Sequence, residues 1–136
     1  MKLSTRSRYG IRALLDLAMN SGDKPVSITD IARRQRISPR YLENIFHGLK
    51  TAGILGSSKG KGGGFYLSKQ LKEISVLSII DILDGKLAIV DCLEHEGECE
   101  MDGECYTRMM WESLNKEIRR AFSNVNLDDV FGTIKK

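Results

Sequence analysis

Two short amphipathic helices joined by a tight turn are the feature that most constrains the fold of this chain. Ser27 and Ser38 are each placed to cap a helix, and Pro39 follows at the first helical position, where proline is favoured. The second helix combines a polar face with an apolar face made of Leu42, Ile45, Phe46 and Leu49. This arrangement predicts a helix-turn-helix.

A glycine-rich basic segment follows the second helix. The sequence GSSKGKGGG lies between short apolar stretches at residues 54–55 and 65–67. Glycine tolerates positive φ, and Lys59 and Lys61 make the tip cationic. A flexible linker is also rich in glycine, but it rarely separates two apolar half-strands. We therefore predict a β-hairpin wing, and with it a mainly α winged helix-turn-helix fold.

Four further helices are predicted from the periodicity of apolar residues. The first, over residues 6–20, is amphipathic and places Asp16 among its polar positions. A nearly buried helix begins at Ser75 and ends at Gly85, and a long amphipathic helix covers about residues 106–124. Asn126 is placed to cap a last short helix. The apolar stripe of the long helix fits a dimer interface or core packing within one subunit equally well.

These elements suggest three regions. Residues 1–84 are expected to form the winged helix-turn-helix DNA-binding domain, residues 85–105 a cysteine-containing cluster-binding loop, and residues 106–136 a dimerisation helix with a short C-terminal helix.

Charge is divided sharply along the chain. Residues 1–72 carry 14 Lys or Arg against 4 Asp or Glu, a net charge of +10, whereas residues 73–136 carry 7 against 14, a net charge of −7. A basic half indicates a polyanionic partner, although a charge asymmetry that serves only solubility would give the same counts. Because the basic residues accompany a winged helix, the predicted partner is double-stranded DNA.

In a winged helix the second helix of the motif enters the major groove, while the wing reaches phosphates or the minor groove. Arg40 suits guanine or a phosphate, Asn44 suits adenine, and Glu43 can accept from the cytosine amino group. A domain of this size makes few base contacts, so we expect a homodimer on half-sites about 34 Å apart. The predicted DNA contacts are Thr5, Ser38, Pro39, Arg40, Tyr41, Glu43, Asn44, His47, Lys59 and Gly60.

All three cysteines lie in one acidic stretch, DCLEHEGECEMDGECYTR. Cys92, Cys99 and Cys105 are separated by six and then five residues, and seven carboxylates surround them. Three clustered thiolates favour an iron-sulfur cluster, zinc or cuprous copper. The carboxylates are expected to raise the pKa of the empty thiols. A structural zinc site and a metal-free thiol redox switch remain alternatives.

Several classes of protein are disfavoured. The first ten residues, MKLSTRSRYG, lack the apolar run of a signal peptide, and no apolar stretch is long enough to cross a bilayer, so we expect a cytoplasmic protein with no membrane partner. Only His47 and His95 could serve as imidazole bases, and no pocket motif is recognisable. An enzyme with a small-molecule substrate is therefore not expected. A winged helix that mediates only protein assembly would lack salt-dependent DNA affinity.

Five segments together resemble one family: KLSTRSRYGIRALLDLA, ISPRYLENIF, KGKGGGFYL, the cysteine trio and CYTRMMWESL. The sequence is similar to the IscR-like iron-sulfur cluster regulators of the winged-helix class, with their NsrR and CymR branches. The resemblance implies that Cys92, Cys99 and Cys105 hold a cluster, 2Fe-2S in preference to 4Fe-4S, and that the long helix forms the dimer. It also implies that Glu43 takes part in operator choice.

Two departures from the family pattern concern the fourth ligand. Arg108 stands where the IscR branch has a histidine, and the first gap between cysteines is one residue longer than usual. We therefore name His95 as the fourth ligand to be tested. Glu94, Glu96 or a group from the partner subunit's first helix are the alternatives.

Overall fold

The computed structural model describes residues 2–94, 97, 100–101 and 103–134. Over these residues the fold is mainly helical with one two-stranded antiparallel sheet, as predicted. The helices are α1 (Thr5–Asn20), α2 (Ile28–Gln35), α3 (Pro39–Thr51), α4 (Val76–Asp84), α5 (Asp91–Glu94), α6 (Arg108–Ser123) and α7 (Leu127–Ile134), with a 3-10 turn at Leu71–Glu73; the strands are β1 (Leu55–Ser58) and β2 (Gly64–Leu67).

Serine side chains set the start of four helices. Ser27, Ser38 and Ser75 each accept a hydrogen bond from the backbone N–H three residues ahead, which confirms the three predicted caps. Ser4 caps α1 in the same way and accepts from the N–H of Ser7 at 3.0 Å. Because Ser4 satisfies this N–H, α1 begins at Thr5, one residue before the predicted start.

The turn between α2 and α3 is closed by a left-handed residue. Arg36 has φ of 57° and donates its backbone N–H to carbonyls at the end of α2. The next residue, Ile37, donates its N–H to the carbonyl of Ala32 at 3.0 Å and is buried. These contacts fix the angle at which α3 leaves the turn, as a helix-turn-helix requires.

The hairpin wing is anchored to the body of the domain at its base. β1 and β2 pair with Leu55 opposite Leu67 and Ser58 opposite Gly64. Val26 extends this sheet by exchanging two backbone hydrogen bonds with Phe65, at 2.9 and 2.8 Å. The Phe65 ring meets Phe46 of α3 edge-on, with ring centroids 5.1 Å apart. The wing and the second helix of the motif therefore form one packed unit.

Gly64 makes the close approach of β2 to Val26 possible. A Cβ added at Gly64 would lie 2.3 Å from the Val26 carbonyl oxygen. We expect Gly64→Ala to separate the wing from Val26 and to lower the free energy of unfolding by about 1–3 kcal/mol, measured by urea denaturation. Gly132→Ala is the matched control, because it lies in α7 with nothing within 4 Å and should be neutral or slightly stabilising. Equal loss in both variants would contradict this explanation.

The hydrophobic core lies where α1 packs against α2, α3 and α4. Its largest fully buried side chains include Phe46, Leu14, Leu17, Ile45 and Ile79. The core also includes Leu127 of α7, so the C-terminal helix packs against the rest of the domain. Asn126 and Asp129 cap α7 reciprocally, each side chain accepting from the other's backbone N–H at 2.9 and 3.0 Å. The predicted Asn126 cap is therefore confirmed.

Asp16, one of the polar positions of α1, is buried. Asp16 is 4% exposed, and it accepts hydrogen bonds from Arg34 at 2.7 Å and from Gln35 at 2.8 Å. The contact with Asp16 raises the pKa of the Arg34 guanidinium, chiefly through the side-chain hydrogen bond. A buried carboxylate is stable here because its charge is paired and its oxygens are hydrogen-bonded. The pair ties α1 to α2.

The long helix α6 packs against α4 and has no fully buried residue among those described. Met109, Met110 and Leu114 are 80%, 46% and 46% exposed. Trp111, Ile118 and Phe122 of the same helix are half-buried, so packing within one chain covers only part of this apolar stripe. Among the described residues, no helix has both the length and the apolar character needed to cross a membrane.

Candidate nucleic-acid interface and cysteine segment

The polar face of α3 projects away from the core, as the DNA-binding prediction requires. Leu42, Ile45, Phe46 and Leu49 are fully buried beneath it. An open cleft at the start of the helix is lined by Ser38, Arg40, Tyr41 and Asn44. The predicted contact residues Thr5, Ser38, Pro39, Arg40, Tyr41, Glu43, Asn44 and His47 are all exposed. The structure thus gathers the predicted residues of α3 on one accessible face.

Residues of α1 support the start of α3. The Tyr9 and Tyr41 rings meet edge-on with centroids 6.1 Å apart, and the Arg12 guanidinium carbon lies 5.1 Å from the Tyr9 ring centroid. Arg6 donates from Nη1 to Oδ1 of Asn44 and from Nε to the Leu83 carbonyl at 3.1 Å. Sequence reasoning missed this role of Arg6, because nothing in the order of residues pairs it with a side chain 38 positions away.

The wing exposes its cations to solvent at its tip. Lys59, Gly60 and Lys61 are exposed at the tip, and Gly60 has φ of 90°, which glycine adopts without strain. Lys50 at the end of α3 donates to the Ser57 hydroxyl of β1 at 2.6 Å. This contact links the wing to α3, so that a basic tip and a polar helix face are held together.

Two of the three cysteines fall within the described residues, one at each end of the cysteine segment. Cys92 lies on the short helix α5 and Cys105 lies just before α6, and both are free and half-buried. Cys99 and His95 lie outside the described residues. In the part of the chain that the structure describes, no group of three or more metal-ligating side chains comes together. The convergence of the trio therefore stays a prediction.

The environment of Cys105 favours the thiolate. Its pKa is lowered, first by a hydrogen bond with the Thr107 hydroxyl, at 3.1 Å, and then by backbone N–H groups and the charge of Arg108. The expectation that surrounding carboxylates raise the thiol pKa is therefore wrong for Cys105, because nearby donors at the start of α6 outweigh more distant charges. The donor chemistry fits a metal ligand. Arg108, which stands where a histidine ligand was expected, helps to stabilise the thiolate.

Residues 87–89, which lead into the cysteine segment, are joined to α4 and α6 by a network of partly buried hydrogen bonds. Asp81 of α4 accepts from the Leu87 N–H at 2.8 Å and from the Arg119 guanidinium at 2.9 and 3.1 Å. Arg119 also donates to the Leu87 carbonyl at 3.1 Å, and Asn115 accepts from the Ile89 N–H at 2.9 Å. These hydrogen bonds connect residues 87–89 to both helices.

The end of α4 is in turn tied to the start of α1. The Asp84 carboxylate accepts from the hydroxyls of Ser4 and Ser7, at 2.5 and 2.6 Å. Residues 87–89, which lead into the cysteine segment, thus contact α4 and α6. The end of α4 is connected through α1 to the exposed face of α3, because Arg6 reaches α3 from the same turn of α1.

The Asp81–Arg119 pair is expected to contribute measurably to stability. Asp81→Asn should lower the free energy of unfolding by about 1–2 kcal/mol, because it removes the charge from a pair whose side chains are only 28% and 24% exposed. Glu117→Gln is the matched control, since its partner Arg120 is 57% exposed and Glu117 itself 60%. A surface pair of that kind contributes little. Urea denaturation of both variants checks the difference, and equal effects would contradict it.

A helix-turn-helix with a basic wing and an exposed polar face on its second helix defines the class of winged-helix DNA-binding proteins. A family model described as "Iron-dependent Transcriptional regulator", Rrf2, matches residues 3–133. The chain belongs to the Rrf2 family of transcriptional regulators.

Similar proteins agree with this assignment. Protein rrf2 of Nitratidesulfovibrio vulgaris is 41% identical over 130 residues, covering 96% of this chain and 87% of that protein. The HTH-type transcriptional regulator IscR of Pectobacterium carotovorum is 36% identical, covering 96% and 79%. Among solved structures, T. potens IscR aligns with a TM-score of 0.77 at 33% identity, covering 98% of this chain and 88% of that chain. CymR of B. subtilis, a global cysteine regulator, aligns with a TM-score of 0.80 at 28% identity, covering 98% of each chain.

These comparisons confirm the predicted family resemblance and the winged-helix fold, with relatives that are transcriptional regulators and not enzymes.

Proposed function

We propose that this regulator binds operator DNA as a homodimer and that an iron-sulfur cluster held by Cys92, Cys99 and Cys105 controls its affinity. The observation that carries the proposal is that contacts join residues 87–89, which lead into the cysteine segment, to α4, and join the end of α4 through α1 to the exposed face of α3. The regions would be residues 1–84 for DNA binding, 85–105 for the cluster and 106–136 for dimerisation.

DNA contact is proposed for the exposed residues of α3 together with Thr5, Lys59 and Gly60. Arg40, Glu43 and Asn44 would face base edges, and the lysine at the wing tip would face phosphate. Because phosphate contacts release counterions, the logarithm of the binding constant should fall linearly with the logarithm of salt concentration. Titration of labelled double-stranded DNA at several salt concentrations measures this slope. A flat dependence with no sequence preference would refute DNA binding as the function.

Dimerisation is proposed through α6. Its apolar residues Met109, Met110 and Leu114 stay largely exposed in one chain, and an open apolar cleft lined by Val76, Ala121, Phe122 and Val125 extends the surface. Burying such a patch against a second copy removes apolar area from water. Sedimentation at micromolar concentration should give twice the mass of one chain, and a strict monomer would exclude this arrangement.

Cluster binding is supported by the chemistry of the described thiols and by the family's description as iron-dependent. A 2Fe-2S cluster is proposed in preference to 4Fe-4S. When bound, the cluster would supply a redox-sensitive and nitric-oxide-sensitive centre whose loss releases the cysteine ligands. Drawing Cys92 and Cys105 together would fix the position of α5 relative to the start of α6, and the contacts of Asp81 and Arg119 would carry that change to α4.

The fourth ligand is proposed to be His95. Its imidazole suits iron in the place of a thiolate. In His95→Ala protein the visible spectrum of the cluster should change in shape and position. An unchanged spectrum would eliminate His95 and leave a carboxylate such as Glu94 or Glu96, or a group of the partner subunit.

A metal-free thiol switch or a zinc site is the second candidate function. The observation that favours the thiol switch is the lowered pKa of Cys105, since the thiolate is the reactive form. Protein purified without oxygen separates the three possibilities. A coloured protein that contains iron and sulfide supports the cluster, and a colourless protein that contains zinc supports a structural site. A colourless protein without either metal supports a thiol switch.

A further inference from the structure

The contact between Arg6 and Asn44 determines how Asn44 can meet DNA. The Arg6 guanidinium carries only donors, so the Asn44 atom that it meets must be the carbonyl oxygen Oδ1. The chemistry of the donor thus fixes the orientation of the amide. Asn44 is exposed, and no hydrogen bond is described for its amide nitrogen Nδ2, so this nitrogen can donate to a DNA base.

Besides Asn44, the Arg6 side chain contacts Leu83 and Gly48. Its Nε donates to the Leu83 carbonyl at 3.1 Å, in the last turn of α4. Its guanidinium lies against the bare backbone of Gly48, where an added Cβ would be 3.5 Å from Nη2. Gly48 is one helical turn beyond Asn44, so the guanidinium spans that turn of α3. Because the Arg6 guanidinium is fixed in this way, it sets the orientation of the Asn44 amide.

An asparagine that pairs with adenine through both amide atoms must present Oδ1 and Nδ2 to the same base edge. In this protein Oδ1 is turned toward α1 by Arg6. Nδ2 can still donate to an acceptor in the major groove, and the N7 atom is an acceptor on both purines.

We infer that Arg6 is a positioning residue that makes Asn44 a one-sided hydrogen-bond donor to the operator. The inference rests on the proposed DNA-binding function. It corrects the simpler expectation that Asn44 selects adenine. Asn44 tolerates adenine, guanine and thymine at its operator position, because each presents a major-groove acceptor, and discriminates against cytosine, whose major-groove edge presents a donor.

The test selects preferred sequences from a randomised double-stranded DNA library with full-length protein prepared without oxygen. Asn44→Ala identifies the operator position that Asn44 contacts, as the position at which base preference disappears. Arg6→Lys keeps the charge but loses the planar fork that bridges Leu83 and Asn44. At that position alone, Arg6→Lys should raise the preference for adenine over guanine about threefold to tenfold, because the freed amide then pairs through both atoms.

Two further variants make the test specific. Arg8→Lys is the matched control, since the Arg8 guanidinium contacts only the Thr5 hydroxyl among the hydrogen bonds described for it, at 3.2 Å, and it should leave the selected sequence unchanged. Asn44→Asp tests the same contact without changing Arg6, so a folding defect caused by loss of Arg6 cannot affect its result. A carboxylate at position 44 pairs with Arg6 and offers only acceptors, so the preference should move to cytosine or to the adenine amino group.

The outcomes distinguish this inference from the proposed function. A wild-type protein that selects no sequence and shows no salt dependence refutes both. A wild-type protein that selects an operator, with unchanged purine preference in Arg6→Lys, overturns the inference alone. So does an Arg6→Lys effect of equal size in the Asn44→Ala background, because Arg6 would then contact DNA independently of Asn44.

Discussion

Protein carrying Cys92→Ser or Cys105→Ser and purified without oxygen will lack the visible absorbance of the wild-type protein and will contain little iron or sulfide. Serine oxygen is a poor ligand for iron in such a site, and removing one thiolate leaves the proposed three-cysteine site incomplete. The same result is expected for Cys99→Ser. Iron and sulfide analysis with an absorbance spectrum measures the loss.

The matched control is Tyr106→Phe, which alters a fully exposed residue next to Cys105 without touching a thiol. It should keep the colour and iron content of the wild-type protein. If all three serine variants retained full iron and sulfide, the cysteine segment would not be the cluster site. If the variants lost the cluster but bound every operator as the wild type does, the cluster would not control DNA binding.

Phe46→Ala is expected to be among the most destabilising single substitutions in this chain. Phe46 is fully buried beneath the polar face of α3 and meets Phe65 of the wing edge-on. Removing its ring leaves a cavity at the junction of α3 and the wing, at a cost of about 3–5 kcal/mol in the free energy of unfolding. That is a large share of the stability of an ordinary domain. Urea denaturation followed by circular dichroism measures the change.

Phe65→Ala provides the graded comparison. Phe65 is only half-buried, so part of its ring already contacts water and its loss should cost distinctly less. The same experiment reports on both variants. Equal losses would indicate that Phe46 contributes through the aromatic pair alone and not through core packing.

The local features of the fold were predictable because they depend on neighbours in the chain. The caps at Ser27, Ser38 and Ser75 need only a hydroxyl and a backbone N–H three residues ahead. The hairpin depends on two short apolar stretches with glycines between them, and α6 on a regular apolar stripe. The exposed polar face of α3 follows from the same periodicity, and so do the positions of its predicted DNA contacts.

The contacts between distant residues were not predictable, and they decide how the proposed site works. Asp16 resembles any polar residue of an amphipathic helix until Arg34 and Gln35 of α2 enclose it. The lowered pKa of Cys105 depends on donors aimed at one sulfur, and a count of nearby carboxylates predicted the opposite direction.

The sequence by itself determined the class of fold, the helix with the exposed polar face that is proposed to contact DNA, and the three clustered cysteines, since each follows from spacing and residue type. Only the tertiary structure joined them. Asp81 with Arg119, Asp84 with Ser4, and Arg6 with Asn44 are separated by 38, 80 and 38 positions in the chain. The physical reason is that hydrogen bonds of this kind depend on the packing of α1, α4 and α6, and periodicity along one helix carries no information about which distant side chain completes them.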